Sequence, residues 1–260
     1  MLKKSFGQHF LKDDSICEKI VEAAKIEHDD FVVEIGPGAG ALTRFIIKRI
    51  AFRSDRVALV EADKDLIPKL ESEFPDAQII QSDAAQVDFD GITKDRSWIF
   101  LGNLPYNAAS AIIVNALASN NPPQKCIFMV QKEQADRMLA NPGDMGLLSV
   151  VIQLYAKGRR LFNVKPGSFI PPPKVMSSVV ELEGGVFSEF SKDQKEQIIT
   201  FAKAGFSSRR KQLHKNLEAA GIADSDTVKT ALESVNKSST ARAQELSIQD
   251  WITLFKLLSK

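Results

Sequence analysis

Cysteine and histidine are scarce in this 260-residue chain, and their placement excludes whole classes of chemistry. Cys17 and Cys126 form no CxxC pair, and His9, His28 and His214 have no metal-ligand spacing, so no metal ion is expected. Two free thiols point to a reducing compartment. The N-terminus is polar by residue 3, so no signal peptide is evident, and the longest apolar runs fall far short of the ~20 residues that span a bilayer. No membrane is expected, and the expected location is cytoplasmic. A surplus of one charge is missing too. With 34 Lys+Arg against 33 Asp+Glu the formal charge is +1. Bulk charge gives no argument for a nucleic-acid partner, and any RNA-binding surface has to be a local patch. What remains is an ordinary globular composition, 44% apolar and 26% charged. The length suits one α/β domain of about 180 residues plus a smaller one, or a single large domain.

The most informative stretch is Trp98-Ile-Phe-Leu-Gly-Asn-Leu-Pro-Tyr-Asn107. Its first half has the apolar, β-branched and aromatic composition of a buried strand. Its second half ends the strand with an amide, a proline and an aromatic ring, and the proline makes the loop stiff. In a parallel α/β sheet, ligands bind just past the carboxyl ends of the strands. An amide, a free backbone carbonyl and a flat ring suit a nucleobase amino group, held by two acceptors and stacked on the ring. The plainer alternative is a strand-to-helix turn, with Asn103 as helix cap and Tyr106 as core filler.

Upstream, residues 1–12 are a basic, aromatic-bearing lead-in; Phe6, Phe10 and Leu11 argue that it docks rather than frays. A helix is predicted from Asp13, Asp14 or Ser15 to about Lys25. Phe31–Ile35 reads as a buried strand running into Gly36-Pro-Gly-Ala-Gly40 and a helix to about Ile50. The next strand, Arg56–Val60, ends in Glu61, which lies 21 positions after Gly40 and can accept both hydroxyls of a ribose. A glycine-rich turn with a later acid fits NAD as well. NAD sites, however, read G-x-G-x-x-G with a pyrophosphate at the helix N-terminus, whereas Gly36, Gly38 and Gly40 are spaced G-x-G-x-G. S-adenosylmethionine (SAM) needs no phosphate site. Asp83, after a third strand near Ala77–Ile80, can accept from an adenine amino group, or can simply cap a turn.

Further strands are predicted at Lys125–Val130, Arg160–Val164 and Ser177–Glu183, with helices from Gln131 to about Leu139 and over Leu147–Tyr155. Phe169-Ile-Pro-Pro-Pro-Lys174 reads as a rigid polyproline-like loop. Seven strands with intervening helices imply an α/β, doubly wound sheet whose last two strands form an antiparallel hairpin at its edge. Gly184-Gly185 breaks the pattern. The expected division is residues 1–185 and an all-helical domain over 186–260, with helices at Asp193–Ala204, Arg209–Ala220, Ser225–Ser234 and Ser247–Leu258. Arg209, Arg210, Lys211 and Lys215 crowd into seven residues; they are a solvated helix face or a phosphate-contacting patch.

These segments together resemble the KsgA-type ribosomal RNA adenine-N6,N6-dimethyltransferases over essentially the whole chain. The matching pieces are Phe6–Asp13, Glu34–Thr43, Glu61, Asp83, Asn103-Leu-Pro-Tyr-Asn107, Phe169–Val175, Phe206–Leu213 and Arg242–Ser247. The resemblance implies a Rossmann-like SAM-dependent methyltransferase acting on two adjacent adenines of small-subunit (16S) rRNA in the immature 30S subunit, working as a monomer. It implies that His9 and Leu11 close over SAM, Gly36 and Gly38 line its amino-acid end, Glu61 holds the ribose and Asp83 reads the adenine. Asn103, also beside the cofactor, and the Leu104 carbonyl would hold the target amine. Tyr106 would stack on the target base and Phe169 would cover its other face, while Arg209, Arg210, Lys211 and Lys215 would contact RNA. The Erm class, which methylates large-subunit rRNA, shares the SAM and Asn-x-Pro-Tyr motifs, although the C-terminal segments look more like the housekeeping enzyme. A non-catalytic RNA-binding factor of the same fold is a further alternative, opposed by the intact Asn103–Tyr106, Glu61 and Asp83.

Overall fold

The computed structural model describes residues 9–51 and 53–259, so the expectation that Phe6 docks lies outside the described residues. The chain divides into two compact units, one holding residues up to 135 together with 157–184, the other 136–156 with 185 onward.

Seven strands build the first unit: β2 (Phe31–Ile35), β3 (Val57–Glu61), β4 (Gln78–Gln81), β5 (Trp98–Asn103), β6 (Lys125–Gln131), β7 (Ala156–Val164) and β9 (Ser177–Gly184). They form one sheet in the order β4-β3-β2-β5-β6-β9-β7. Every residue of β2 and β3 is buried, as near-continuous apolar runs covered on both faces require, Glu34 and Glu61 included. The strands from β4 to β6 run parallel, and β9 is antiparallel to β6. All seven predicted strands are present, with the last two as neighbours at the edge. The chain leaves β2 toward β3 on one side and returns as β5 on the other, so the sheet's switch point lies between β2 and β5. The register brings Ile35 opposite both Val60 and Gly102. Gly36, Glu61 and Asn103 therefore come off neighbouring strand ends at one level.

A two-stranded ribbon lies apart from this sheet: β1 (Phe10–Leu11) pairs antiparallel with β8 (Phe169–Ile170). It ties the start of the described chain to the proline loop. The predicted first helix is α1 (Asp14–Ala24), packed through Cys17, Ile20 and Val21.

The second unit is helical: α7 (Leu147–Tyr155), α8 (Lys192–Gly205), α9 (Leu213–Ala219), α10 (Ser225–Ser234) and α11 (Ile248–Leu258). Its core gathers Trp251, Phe201, Leu213, Leu217 and Leu232, joined by Met145 and Val150 from the 136–156 segment. That segment, expected with the sheet domain, thus packs with the helices, and Gly143 and Met145 donate their N–H groups to the Gln244 carbonyl. Capping boxes start two helices as their sequences suggest, Ser191 with Gln194 and Ser247 with Asp250. The helix predicted over Arg209–Ala220 is shorter. It begins at Leu213, and Arg209–Lys211 form a turn. The buried Asn216 amide donates to the carbonyls of Gly205 at 2.6 Å and Ser208 at 3.0 Å, holding the chain in that turn.

Candidate active site

Past the carboxyl ends of β2, β3 and β5 opens a cleft with about 740 Å³ of space, part of it open to solvent. Its floor is the glycine turn after β2, where Gly36, Gly38 and Gly40 all adopt positive φ (66°, 59° and 82°). Only glycine takes such a path cheaply. At Gly38 a side chain is doubly excluded, since a Cβ would lie 2.8 Å from the Phe10 ring.

Glu61, at the end of β3, is buried, and its carboxylate is fixed by two main-chain donors: Gly38 N–H to Oε2 at 3.0 Å and Asp63 N–H to Oε1 at 2.8 Å. Burial raises its pKa, and these hydrogen bonds act in the opposite direction. Below the turn, Glu34 is wholly buried, accepting from Thr43 Oγ1 at 2.7 Å. Burial pushes its pKa up to about 8, the Thr43 bond opposes this, and the nearby Glu61 charge adds to the rise. Asp83 is exposed at the rim after β4, with Oδ1 accepting from Ala85 N–H at 2.9 Å.

The wall opposite is the loop after β5. Leu104 N–H donates to the Met129 carbonyl at 3.1 Å. The Asn103 Nδ2 donates to the His9 carbonyl at 3.0 Å, which fixes the amide's orientation and leaves Oδ1 as its acceptor end. Tyr106 is held at three points. Its hydroxyl bonds Ser177 Oγ at 2.8 Å, its carbonyl accepts from Gln134 Nε2 at 2.7 Å, and one ring face carries the His9 imidazole at a centroid distance of 5.6 Å. Asn103 is thus no helix cap; the helix that follows, α5 (Ala109–Leu117), starts after Ala108.

His9, Gly36, Gly38, Glu61, Asp83, Asn103, Leu104 and Tyr106 all line this one cleft. Two expected residues do not. Phe169 is 1% exposed, so its ring has no free face for a base; the ring beside Tyr106 is His9. Leu11 turns into the same core, because successive residues of a strand point to opposite sides, and Phe10 takes the cleft side. Phe10, Gln134 and Ser177 were missed as site residues. Only Phe10 carried a sequence signal, a large apolar ring in a polar lead-in.

Among the described residues that line the cleft there is neither lysine nor arginine, whereas two are carboxylates. A pyrophosphate would find no cationic partner among these residues. The family model for ribosomal RNA adenine dimethylases matches residues 1–260. This chain belongs to that family. Similar family members include the ribosomal RNA small subunit methyltransferase A of Maridesulfovibrio salexigens, 40% identical over 98% of this chain and 94% of its own length. That of Marinobacter nauticus is 35% identical over 99% of this chain and 91% of its own. Among solved structures, a dimethyladenosine transferase from Plasmodium falciparum superposes with a TM-score of 0.77 at 25% identity, covering 95% of this chain and 96% of that one. The 23S rRNA methyltransferase ErmE superposes with a TM-score of 0.74 at 23% identity, over 96% and 100% of the two chains, a likeness of fold.

In this dimethylase the predicted cationic cluster lies in the helical unit. Arg209, Arg210, Lys211 and Lys215 are all exposed, the first three in the turn before α9 and Lys215 on the helix. No cluster of three metal-ligating side chains occurs among the described residues, and no helix among them is long and apolar enough to cross a membrane.

Proposed function

We propose that this dimethylase transfers methyl groups from SAM to the N6 amines of two adjacent adenines in the 3′-terminal hairpin of small-subunit rRNA, during assembly of the 30S subunit. Membership of the ribosomal RNA adenine dimethylase family and the names of its relatives support the reaction and the RNA. The observation that carries the cofactor is the cleft itself. It joins a carboxylate at ribose reach, a second at the rim and a glycine floor, with no lysine or arginine among the described residues that line it. That donor set fits a ligand with positive charge and no phosphate.

Bound SAM supplies a methyl group on a cationic sulfonium, a strong electrophile. The chain's own residues bind and orient. Glu61 accepts the ribose hydroxyls, Asp83 accepts from the cofactor adenine, and the Gly36–Gly38 main chain lies against the amino-acid end. Adenine N6 is a poor nucleophile because its lone pair is delocalised into the ring. Asn103 Oδ1 and the Leu104 carbonyl accept its two N–H bonds and favour a pyramidal nitrogen directed at the methyl. The gain comes from positioning and electrostatics, with the proton released to solvent. A neutral amide holds the amine without forming a tight ion pair to the sulfonium. The target base stacks on the Tyr106 face that His9 leaves free. After the first transfer one N–H remains, and one of the two acceptors holds it for the second.

Mapping dimethyladenine in both rRNAs of a strain lacking the gene tests this reading. Loss from the small-subunit 3′-terminal hairpin, restored by the gene, is expected. Intact marks there, or loss confined to the large subunit, would contradict it.

A further inference from the structure

Among the described residues four large apolar side chains are exposed, and three of them fall in one seven-residue stretch: Ile170 (53%), Val175 (45%) and Met176 (38%). Scattered exposed apolar residues need no explanation, but a cluster on an ordered segment marks a contact surface. This segment is fastened to the cleft along its length. Ile170 sits opposite the cleft-lining Phe10 in the β1–β8 ribbon. The Pro171 carbonyl lies 2.7 Å from His9 Nδ1, and the Met176 carbonyl accepts from Lys132 N–H at 2.9 Å. Ser177, the next residue, bonds the Tyr106 hydroxyl. Three consecutive prolines stiffen the span, and its one charged residue is the exposed Lys174.

We propose that the 170–176 loop is a wedge that packs against the RNA bases next to the extruded target adenine, with Lys174 at a flanking phosphate. The inference rests on the function proposed above and adds the element that makes extrusion affordable. Taking a base out of its stack costs a few kcal/mol and leaves the faces of its neighbours open to water. Tyr106 covers the target inside the cleft and cannot cover the gap outside. Isoleucine, methionine and proline are side chains that proteins insert at unstacked base steps. The charge agrees: one cation and no carboxylate in the stretch suit a phosphate backbone.

The test uses two rRNA hairpins and the double variant Val175→Ser/Met176→Ser: the first carries 2-aminopurine, fluorescent when unstacked, at the target position and reads extrusion, and the second keeps adenine there and reads methylation. Both side chains are exposed and neither lines the cleft, so folding and SAM affinity should not change. Wild type should raise the fluorescence on binding. The variant should bind both hairpins within about threefold of wild type, yet give less than about a third of the rise on the first and at least tenfold slower single-turnover methylation of the second. Replacing the bases beside the target by abasic sites should restore its rate to that of wild type on the same RNA. A full fluorescence rise in the variant, whether or not binding is weakened, would overturn the wedge. A wild-type enzyme that neither raises the fluorescence of the first hairpin nor methylates the adenine of the second would overturn the functional reading, and the wedge with it.

Discussion

The Gly38 main-chain N–H donates to Glu61 Oε2 at 3.0 Å, linking the turn after β2 to the end of β3. The bond aims a buried carboxylate across the glycine floor. Glu61→Gln keeps the shape and removes the charge. Charge-assisted hydrogen bonds are worth about 1.5–3 kcal/mol, so SAM affinity should fall at least about tenfold with little change in secondary structure. Titration calorimetry checks it; an unchanged Kd would remove Glu61 from the cofactor site.

Tyr106 and Ser177 make a second prediction. Stacking needs the ring face and not the hydroxyl, so Tyr106→Phe should keep kcat within a few-fold. It leaves the fully buried Ser177 hydroxyl without this partner, a loss of about 1–3 kcal/mol of stability. Adding Ser177→Ala should recover part of that loss. Tyr106→Ala should lower kcat/KM for RNA by about ten- to a hundredfold while SAM affinity holds. Denaturation curves and steady-state kinetics separate these outcomes. An inactive but stable Phe variant would give the hydroxyl a chemical role.

Glu34 predicts a pH dependence. Its folded pKa is raised, chiefly by burial, from 4.5 to about 8. Between those values the native state holds a proton that the unfolded chain has released, so stability falls as pH rises through the window. Glu34→Gln removes the titration and can still accept from Thr43. The variant should gain on wild type in Tm as pH goes from 5 to 8. Parallel Tm–pH curves would show that Glu34 is ionised in the fold.

The exposed turn Arg209–Lys211 leads to the fourth. Arginine's planar fork suits phosphate oxygens. Arg209→Ala/Arg210→Ala should raise the KM for the RNA-containing substrate and flatten its salt dependence by about one unit of slope per lost contact. SAM binding and stability should hold. A variant indistinguishable from wild type across a salt series would make the turn a solvated surface.

Strands β2, β3, β5 and β6 were legible because parallel strands buried on both faces read as near-continuous apolar runs, and the glycine turn and Asn103–Tyr106 loop carry their own chemistry. Errors arose where distant contacts decide. Phe169 stands in a proline-rich stretch that reads as surface, yet pairing with β1 buries it. Leu11 and Phe10 exchange places with strand parity, which a two-residue strand does not reveal in sequence. The start of α9 is set by Asn216 reaching back to Gly205 and Ser208. Likewise the Gln134 and Ser177 contacts to Tyr106 cross 28 and 71 residues of chain, with no local pattern to announce them.

The most direct test of the account is Asn103→Ala, assayed for SAM binding and for single-turnover methylation of the rRNA hairpin. The amide's Nδ2 is held by the His9 carbonyl, and its Oδ1 is assigned to the target amine. The account predicts SAM affinity within about threefold of wild type and methyl transfer slowed by about a hundredfold or more, the scale of losing one preorganised polar contact in a transition state. Near-normal transfer by the variant would contradict it.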